Sequence, residues 1–194
     1  MAVDCERARN FAADFERAKN FAARIINRYG LNRPPVDPEK IAENEGIKVY
    51  YAKLSEEIED KVSGYFDPLR ETNIGKGAII INVNISPARK IFTIAHELGH
   101  VLLHHDIRNE NRITSVQYRT DNWDRGNKPE IEQEADVFAT HLLMPSKWIK
   151  KYYEMSKDVG EKPTPEKLSQ LFGVSTESMR YRFKSMNLKY NLIY

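Results

Sequence analysis

The segment IFTIAHELGHVLL, residues 91–103, decides how the fold of this chain is interpreted. Its apolar side chains recur at helical spacing, and the only polar residues are the central His-Glu-His group and Thr93. Ser86 followed by Pro87 is typical of an N-cap and a first helical position. The pattern therefore predicts a buried helix from Pro87 to about His104.

Two histidines of this helix, His96 and His100, are four residues apart and lie on one face. Their separation along the helix axis is about 6 Å, so both imidazoles can converge on one ion. Glu97 stands between them and can reach a water molecule on that ion without being a ligand itself. The competing interpretation is a pair of core histidines hydrogen-bonded to the backbone. Burial in an apolar helix favours the metal, because a metal ion would satisfy these polar groups.

A third ligand cannot come from the same helix. His104 lies eight residues beyond His96, about 12 Å further along the axis, and is too far away to share the ion. The longer HExxHxxGxxH pattern also fails, because Leu103 stands at the glycine position and Asp106 at the third histidine position. The remaining ligand must therefore be supplied by a second helix.

A predicted helix at 130–144 offers three glutamates within its first five residues. On a helical wheel Glu132 falls inside the apolar stripe, Glu134 falls at its margin, and Glu130 points away. Glu132 is the favoured ligand and Glu134 the alternative, unless both are surface carboxylates at a helix N-terminus. Asp136 is four residues after Glu132 and could accept the free N–H of a ligating histidine.

The rest of the chain predicts an α+β fold with a small three-stranded antiparallel sheet. Further helices are predicted at 7–29, 38–45, 146–156, 165–172 and 176–186. Strands are predicted at 47–53, 62–67 and 78–83. The polar segment 106–129 is expected to be a long loop that could gate a cleft.

Composition excludes several classes of protein. The 194 residues include 41% hydrophobic residues and carry a formal net charge of +2, which favours a globular chain without a general attraction to nucleic acid or membranes. One cysteine, Cys5, cannot form a disulfide within the chain, which suggests a reducing compartment. The N-terminus lacks the features of a secretory signal, and no apolar stretch is long enough to cross a membrane. We therefore expect a cytoplasmic protein.

With these residues in place, the sequence resembles the ImmA/IrrE family of metallopeptidases. The matching segments, in order, are 35–51, 62–66, 79–105 and 130–145. The resemblance implies a zincin-like core, with the HExxH helix, a ligand helix and one zinc ion; Mn²⁺ could replace the zinc. Counting back from the LLMP segment at 142–145, it places the third ligand on Glu132.

The resemblance also implies a role. Members of the family are cytoplasmic peptidases, often encoded by phages or mobile elements, that cut a partner repressor with a helix-turn-helix domain. This would make the chain a zinc-dependent endopeptidase with Glu97 as the general base and a protein as its substrate. One departure from the family is His141, where an acidic residue is usual. It could be surface variation or, less favoured, a hydrogen-bond donor to the transition-state oxyanion.

The expected organisation is an N-terminal helical segment at 1–34, a metallopeptidase core at 35–156 and a helix-turn-helix-like segment at 157–194. That last segment offers an alternative function, a DNA-binding transcriptional regulator that uses Arg180, Arg182 and Lys184. The favoured interpretation is a helical pair packed on the core, because one short basic helix is a weak electrostatic footprint. A third possibility is a metal-binding interaction module without turnover.

Two expectations concern the substrate. An extended peptide could add to the edge of the sheet, and the strand at 78–83 is the candidate because it directly precedes the HExxH helix. Tyr65 and Tyr118 are candidate polar contacts.

Overall fold

Helices surround a small sheet in the residues that the computed structural model describes, which are 2–103, 116–118, 128–158, 160 and 163–190. The helices are α1 (Ala2–Arg28), α2 (Pro38–Asn44), α3 (Pro87–Leu103), α4 (Glu130–Leu143), α5 (Ser146–Asp158), α6 (Pro165–Phe172) and α7 (Thr176–Ser185). The strands are β1 (Lys48–Ala52), β2 (Val62–Thr72), β3 (Gly75–Asn82) and β4 (Val116–Tyr118). No helix in these ranges combines the length and the apolar character that crossing a membrane requires.

The helix starts follow local capping chemistry. The side chain of Asp37 accepts a hydrogen bond from the backbone N–H of Lys40 at 3.1 Å, and Thr164 accepts one from Lys167 at 3.3 Å. In both helices a proline occupies the first turn, where no intrahelical donor is needed. Each side-chain oxygen satisfies an amide that would otherwise lack a partner, which is why these boundaries are readable from sequence.

The sheet is mixed, so the prediction of a three-stranded antiparallel sheet is wrong. The strand order is β1-β3-β2-β4. β2 and β3 are antiparallel because a tight turn joins them, whereas β1 lies on the other side of β3 and runs parallel to it. Residues 53–61 carry the chain from β1 to β2 and place it so that β3 returns in the direction of β1. This pairing is non-local and has no signal in the residue pattern.

β3 is an interior strand, so the prediction that the strand at 78–83 forms the edge for a substrate is also wrong. Its residues Ala78, Ile79, Ile80 and Ile81 are all buried. A strand covered on both faces reads as a continuous apolar run rather than an alternating one. The uninterrupted apolar run at 78–81 therefore indicates a strand in the interior of the sheet.

The segment predicted as a long loop contains a short strand. β4 pairs with β2 in antiparallel fashion, with Tyr118 opposite Val62 and Val116 opposite Tyr65. The prediction that this segment is a long loop is therefore wrong at 116–118. Most of the remaining segment lies outside the described residues, as does the side chain of Tyr118. The predicted gating role and the candidate contact of Tyr118 therefore fall outside the described part of the chain.

Two glycines let α3 approach both of its neighbours closely. A Cβ at Gly64 of β2 would lie 2.8 Å from Cγ2 of Thr93, and one at Gly99 of α3 would lie 2.9 Å from Cδ1 of Phe138. The added carbon at Gly99 would also lie 3.3 Å from Cα of Ala135. Such distances are too short for a side chain, so glycine sets the spacing of the sheet, α3 and α4.

The N-terminal helix packs on the helix that carries the candidate glutamates. The rings of Phe21 and Phe138 have centroids 6.2 Å apart, and both α1 and α4 contribute to one hydrophobic core. Arg17 donates a hydrogen bond to Glu134 at 2.8 Å. The contact fixes the face of α4 that turns away from α3.

The C-terminal helices α6 and α7 are joined by a short turn, in which Gly173 adopts the left-handed region (φ 67°). Their arginines are used within the protein. Arg182 is buried, and it donates hydrogen bonds to the carbonyl of Met144 at 3.0 Å and to Oγ of Ser146 at 2.7 Å. Burial lowers the pKa of Arg182 to about 10, so it remains charged at neutral pH. A cation here also suits the negative end of the α4 dipole.

We predict that Arg182→Ala lowers the free energy of unfolding by about 2–4 kcal/mol, because it leaves buried acceptors without a donor. Arg180→Ala is the matched control. Arg180 pairs with Glu166 at 2.7 Å, and both side chains are about half exposed. An exposed pair contributes at most about 1 kcal/mol. Urea unfolding measures both variants, and equal losses would contradict the assigned role of Arg182.

Candidate metal centre

Three side chains from two helices meet at the centre of the molecule. His96 and His100 of α3 face Glu132 in the first turn of α4. His96 Nε2 lies 3.2 Å from Oε2 of Glu132, and His100 Nε2 lies 3.0 Å from Oε1 of the same carboxylate. The two Nε2 atoms are 3.1 Å apart. The histidines are buried, and these three residues form a group that could hold a metal ion.

The geometry fits a small tetrahedral ion. Ligand atoms about 2.0–2.1 Å from zinc in a tetrahedral site are about 3.3 Å from one another. Neighbouring donor atoms of the cluster are 3.0–3.2 Å apart, which is close to that value, with each histidine facing a different oxygen of the Glu132 carboxylate. Imidazole nitrogens and a carboxylate oxygen are also the donors that zinc takes in sites with an open position. The residues therefore fit the ion that their spacing predicts.

The other candidate glutamates of α4 do not join the cluster. Glu134 lies two residues after Glu132, on another side of the helix, where it pairs with Arg17. Its side chain is 8% exposed, and its burial is against α1. Glu130 begins the helix and is exposed. Of the two glutamates that sequence reasoning left open, the structure brings Glu132 to the histidines.

Asp136 lies next to the cluster, as expected from its position one turn after Glu132. Its Oδ1 accepts a hydrogen bond from Nδ1 of His96 at 2.9 Å. A proton on Nδ1 leaves the lone pair of Nε2 directed at the cluster, which is the form a metal ligand needs. Asp136 therefore orients His96.

Lys128 was missed by the sequence reasoning. Its ammonium group donates a hydrogen bond to Oδ2 of Asp136 at 2.5 Å, while the other carboxylate oxygen serves His96. Gln133 holds the backbone carbonyl of Lys128 at 2.7 Å and so fixes the start of α4. A lysine two residues before a helix has no pattern that would have identified it. Lys128 therefore extends the series of hydrogen bonds, which runs from Lys128 to Asp136 to His96.

The cluster favours a positive charge at its centre. Burial by itself lowers the pKa of His96, but hydrogen bonds to Asp136 and Glu132 outweigh it and raise that pKa to about 9. Burial lowers the pKa of His100. Burial would raise the pKa of Glu132, but hydrogen bonds from His100 and His96 hold it well below its usual range. The two carboxylates thus favour a cation beside Nε2, either a proton or a metal ion.

Glu97 is the fourth polar residue of the motif and follows His96 on α3. It is completely buried among the apolar residues of that helix. One residue corresponds to about 100° of rotation, so Glu97 stands beside the line that joins the two histidines. A carboxylate at this position is adjacent to the cluster without belonging to the group of possible ligands.

His141 does not belong to the site. It lies nine residues after Glu132, about 13 Å further along α4. Its Nδ1 donates to the carbonyl of Val137 at 2.9 Å, and its Nε2 lies 3.3 Å from the guanidinium of Arg182. Burial and then the charge of Arg182 lower the pKa of His141 to about 4, so the ring is neutral and accepts from the arginine. The structure therefore makes His141 a half-buried partner of Arg182 and does not bring it to the cluster.

We predict that Glu132→Gln lowers the affinity for zinc by more than about 100-fold, because even the residues that only support metal ligands cost 10–100-fold when replaced. Glu134→Gln is the matched control on the same helix. It removes the pair with Arg17 and leaves zinc affinity unchanged. Competition with a zinc-binding dye measures both affinities, and an equal loss in the two variants would contradict the placement of the ligand.

We also predict that zinc binding weakens as the pH falls. His96 carries a proton at pH 7 because its pKa is about 9, and zinc must displace that proton to reach Nε2. We expect close to one proton released per zinc at pH 7, and about tenfold lower affinity for each pH unit below 9. Calorimetry in two buffers of different ionisation enthalpy counts the protons. A count of zero would show that the cluster does not hold a proton.

No curated protein is similar enough to the chain to match it. A solved structure of a Mycobacterium tuberculosis transcriptional regulator is similar, with a TM-score of 0.54 and 16% sequence identity. The similarity covers 87% of this chain and 46% of the regulator, so the chain spans less than half the length of that protein. At this identity the similarity shows a shared fold alone.

The sequence itself matches a family model. The model is described as the IrrE N-terminal-like domain of the M78 peptidases, and it matches residues 42–184. These residues include α3 with the HExxH motif, α4 with Glu132, and the C-terminal pair α6 and α7. The resemblance seen in the sequence segments is confirmed: the chain belongs to the M78 peptidase family with an IrrE N-terminal-like domain.

Proposed function

We propose that this chain is a zinc-dependent endopeptidase that cuts a partner protein. The observation that carries the proposal is the convergence of His96, His100 and Glu132 within hydrogen-bonding distance of one another. Membership of a peptidase family supports hydrolysis over simple metal storage. His96, His100 and Glu132 would hold the zinc ion, with Asp136 orienting His96.

A zinc ion held by these residues would supply Lewis acidity, which makes a water molecule more acidic and polarises the carbonyl of the scissile peptide bond. The protein supplies the proton transfers. Glu97 takes the proton from the attacking water and passes it to the amine of the departing peptide. Because Glu97 is buried, its carboxylate exchanges protons with the reacting groups rather than with bulk solvent.

Asp136 and Lys128 prepare the site before the reaction begins. Asp136 keeps one proton of His96 on Nδ1, so that Nε2 is the nitrogen that gives up its proton to the metal. Lys128 binds the second oxygen of Asp136 and limits rotation of that carboxylate. The arrangement holds the histidine in one tautomer and one orientation, which avoids reorganisation during the reaction.

The partner that we propose as substrate is a repressor with a helix-turn-helix domain, encoded near this chain on a phage or mobile element. The support is membership of the family, whose members the sequence resembles in segments as well as in motif. The proposed location is the cytoplasm, where such a repressor works. The single cysteine, Cys5, suits that reducing compartment.

The rival interpretation as a DNA-binding regulator loses one of its three basic residues. Arg182 is 5% exposed and is held by the end of α4, so it cannot reach a DNA phosphate without leaving the core. Arg180 is exposed but paired with Glu166, which leaves Lys184 as the one exposed cation of the three without an ion pair in the described residues. A single lysine makes little contribution to binding a polyanion.

We predict that Glu97→Gln keeps zinc but loses cleavage of the partner by at least about 100-fold, because a positioned general base contributes 10²–10⁴-fold. The measurement is co-expression with the protein encoded by the neighbouring gene, followed by gel analysis and metal content of the purified chain. Glu57→Gln, an exposed glutamate before β2, is the matched control and retains full cleavage.

Two outcomes would contradict this proposal. Cleavage by the Glu97→Gln protein at the rate of the unaltered chain would remove Glu97 from the mechanism. Full biological activity of that variant without any cleavage of the partner would instead support a metal-binding interaction module.

A further inference from the structure

A groove leads away from the metal centre between three helices. Its volume is about 640 Å³, within the range of sites that bind ligands. The floor is formed by Phe92 of α3 together with Thr140 of α4 and Met144, the C-cap of α4. Asp136 lies at one end. The lining is more apolar than polar.

The groove continues the faces of α3 and α4 that carry the metal-binding residues. On α3, Phe92 lies one turn before His96, so both side chains share a face. On α4, Asp136, Thr140 and Met144 follow Glu132 at steps of four residues. The two helices run antiparallel. His96, which comes first in α3, contacts Asp136 of α4, whereas His100, one turn later in α3, contacts Glu132, one turn earlier in α4. A molecule leaving the metal centre along these faces therefore enters the groove.

Helix α7 forms the opposite wall. Ser178, Tyr181, Arg182 and Ser185 line it and recur at spacings of three and four residues, which defines one helical face. Arg182 anchors that face to α4 through Met144, so the wall stands at a fixed position. Tyr181 is 47% exposed, a large exposure for an aromatic residue.

Lys184 gives the rim of the groove a charge. It lines the groove, is exposed, and has no carboxylate within ion-pair distance in the part of the chain that the structure describes. Asp136 is the one carboxylate among the described residues of the lining, and it is already engaged by His96 and Lys128. The available charge of the groove is therefore positive.

We propose that this groove is the specificity subsite of the peptidase, and that it binds a substrate segment with a large apolar side chain followed by a carboxylate. The apolar side chain lies over Phe92 and Thr140, and the carboxylate pairs with Lys184. Met144, at the far end of the groove, lies about 18 Å from Glu132 along the helix axis, a distance that an extended peptide spans with about five residues. Both recognised residues thus lie within about five residues of the scissile bond. This inference rests on the proposed peptidase function.

The test uses ten-residue peptides of glycine, serine and threonine that contain one leucine and, at varied distance, one aspartate, one lysine or neither. Cleavage by the zinc-loaded chain is followed by mass spectrometry. Binding to zinc-loaded Glu97→Gln protein is followed separately by fluorescence anisotropy. The second measurement reports occupancy of the groove even if no bond is cut.

Lys184→Glu is the decisive variant, because an exposed lysine can be changed without disturbing the core. We expect kcat/KM for the aspartate peptides to fall about fivefold and that for the lysine peptides to rise, with peptides lacking a charge unaffected. Lys150→Glu, the same charge change on an exposed lysine of α5 outside the groove lining, leaves all three groups of peptides unchanged.

The outcomes separate the two proposals. Cleavage whose charge preference does not respond to Lys184→Glu overturns the subsite and leaves the peptidase in place. Charge-dependent binding without cleavage by the unaltered chain overturns the peptidase and supports the groove as a peptide site. Tyr181→Ala gives a second check, since loss of the wall lowers affinity for peptides with leucine and leaves zinc affinity unchanged.

Discussion

The close approach of α3 and α4 at Gly99 is the constraint on which the rest of the structure depends. The ligands of the candidate centre lie on two different helices, and the helices can supply them to one point only when their axes are near. Gly99 stands between His96 and His100 in sequence and packs against Ala135 and Phe138 in space. Any side chain at this position would push α4 away and carry Glu132 with it. The glycine of the motif therefore acts through helix spacing rather than through chemistry.

Sequence reasoning succeeded where the signal is local. The spacing of His96 and His100 defines one helical face, and the wheel of α4 separates Glu132 from Glu134 by two residues, about 200° of rotation. Caps such as Asp37 and Thr164 mark helix starts for an equally local reason. Each of these inferences depends on a few neighbouring residues and on a known helical geometry.

It failed where the information is non-local. Nothing near β1 indicates that it will pair with β3 in parallel, because the choice depends on how residues 53–61 cross to β2. Lys128 has no helical or strand periodicity to place it beside Asp136. The basic residues of α7 look alike in sequence, yet Arg182 is buried while Lys184 is exposed. Only packing distinguishes a structural arginine from a surface cation.

The hydrogen bond from Arg182 to Met144 has a consequence for how the protein is made. All residues of the candidate centre precede position 137 in the chain, whereas the guanidinium that secures the end of α4 comes 38 residues after the carbonyl it binds. A growing polypeptide on the ribosome therefore contains every candidate metal-binding group well before it contains the arginine that stabilises α4, the helix of Glu132. Because domains fold as units, the centre gains its full stability only after Arg182 has been synthesised. The candidate centre therefore remains incompletely stabilised while the residues up to Arg182 are still being translated.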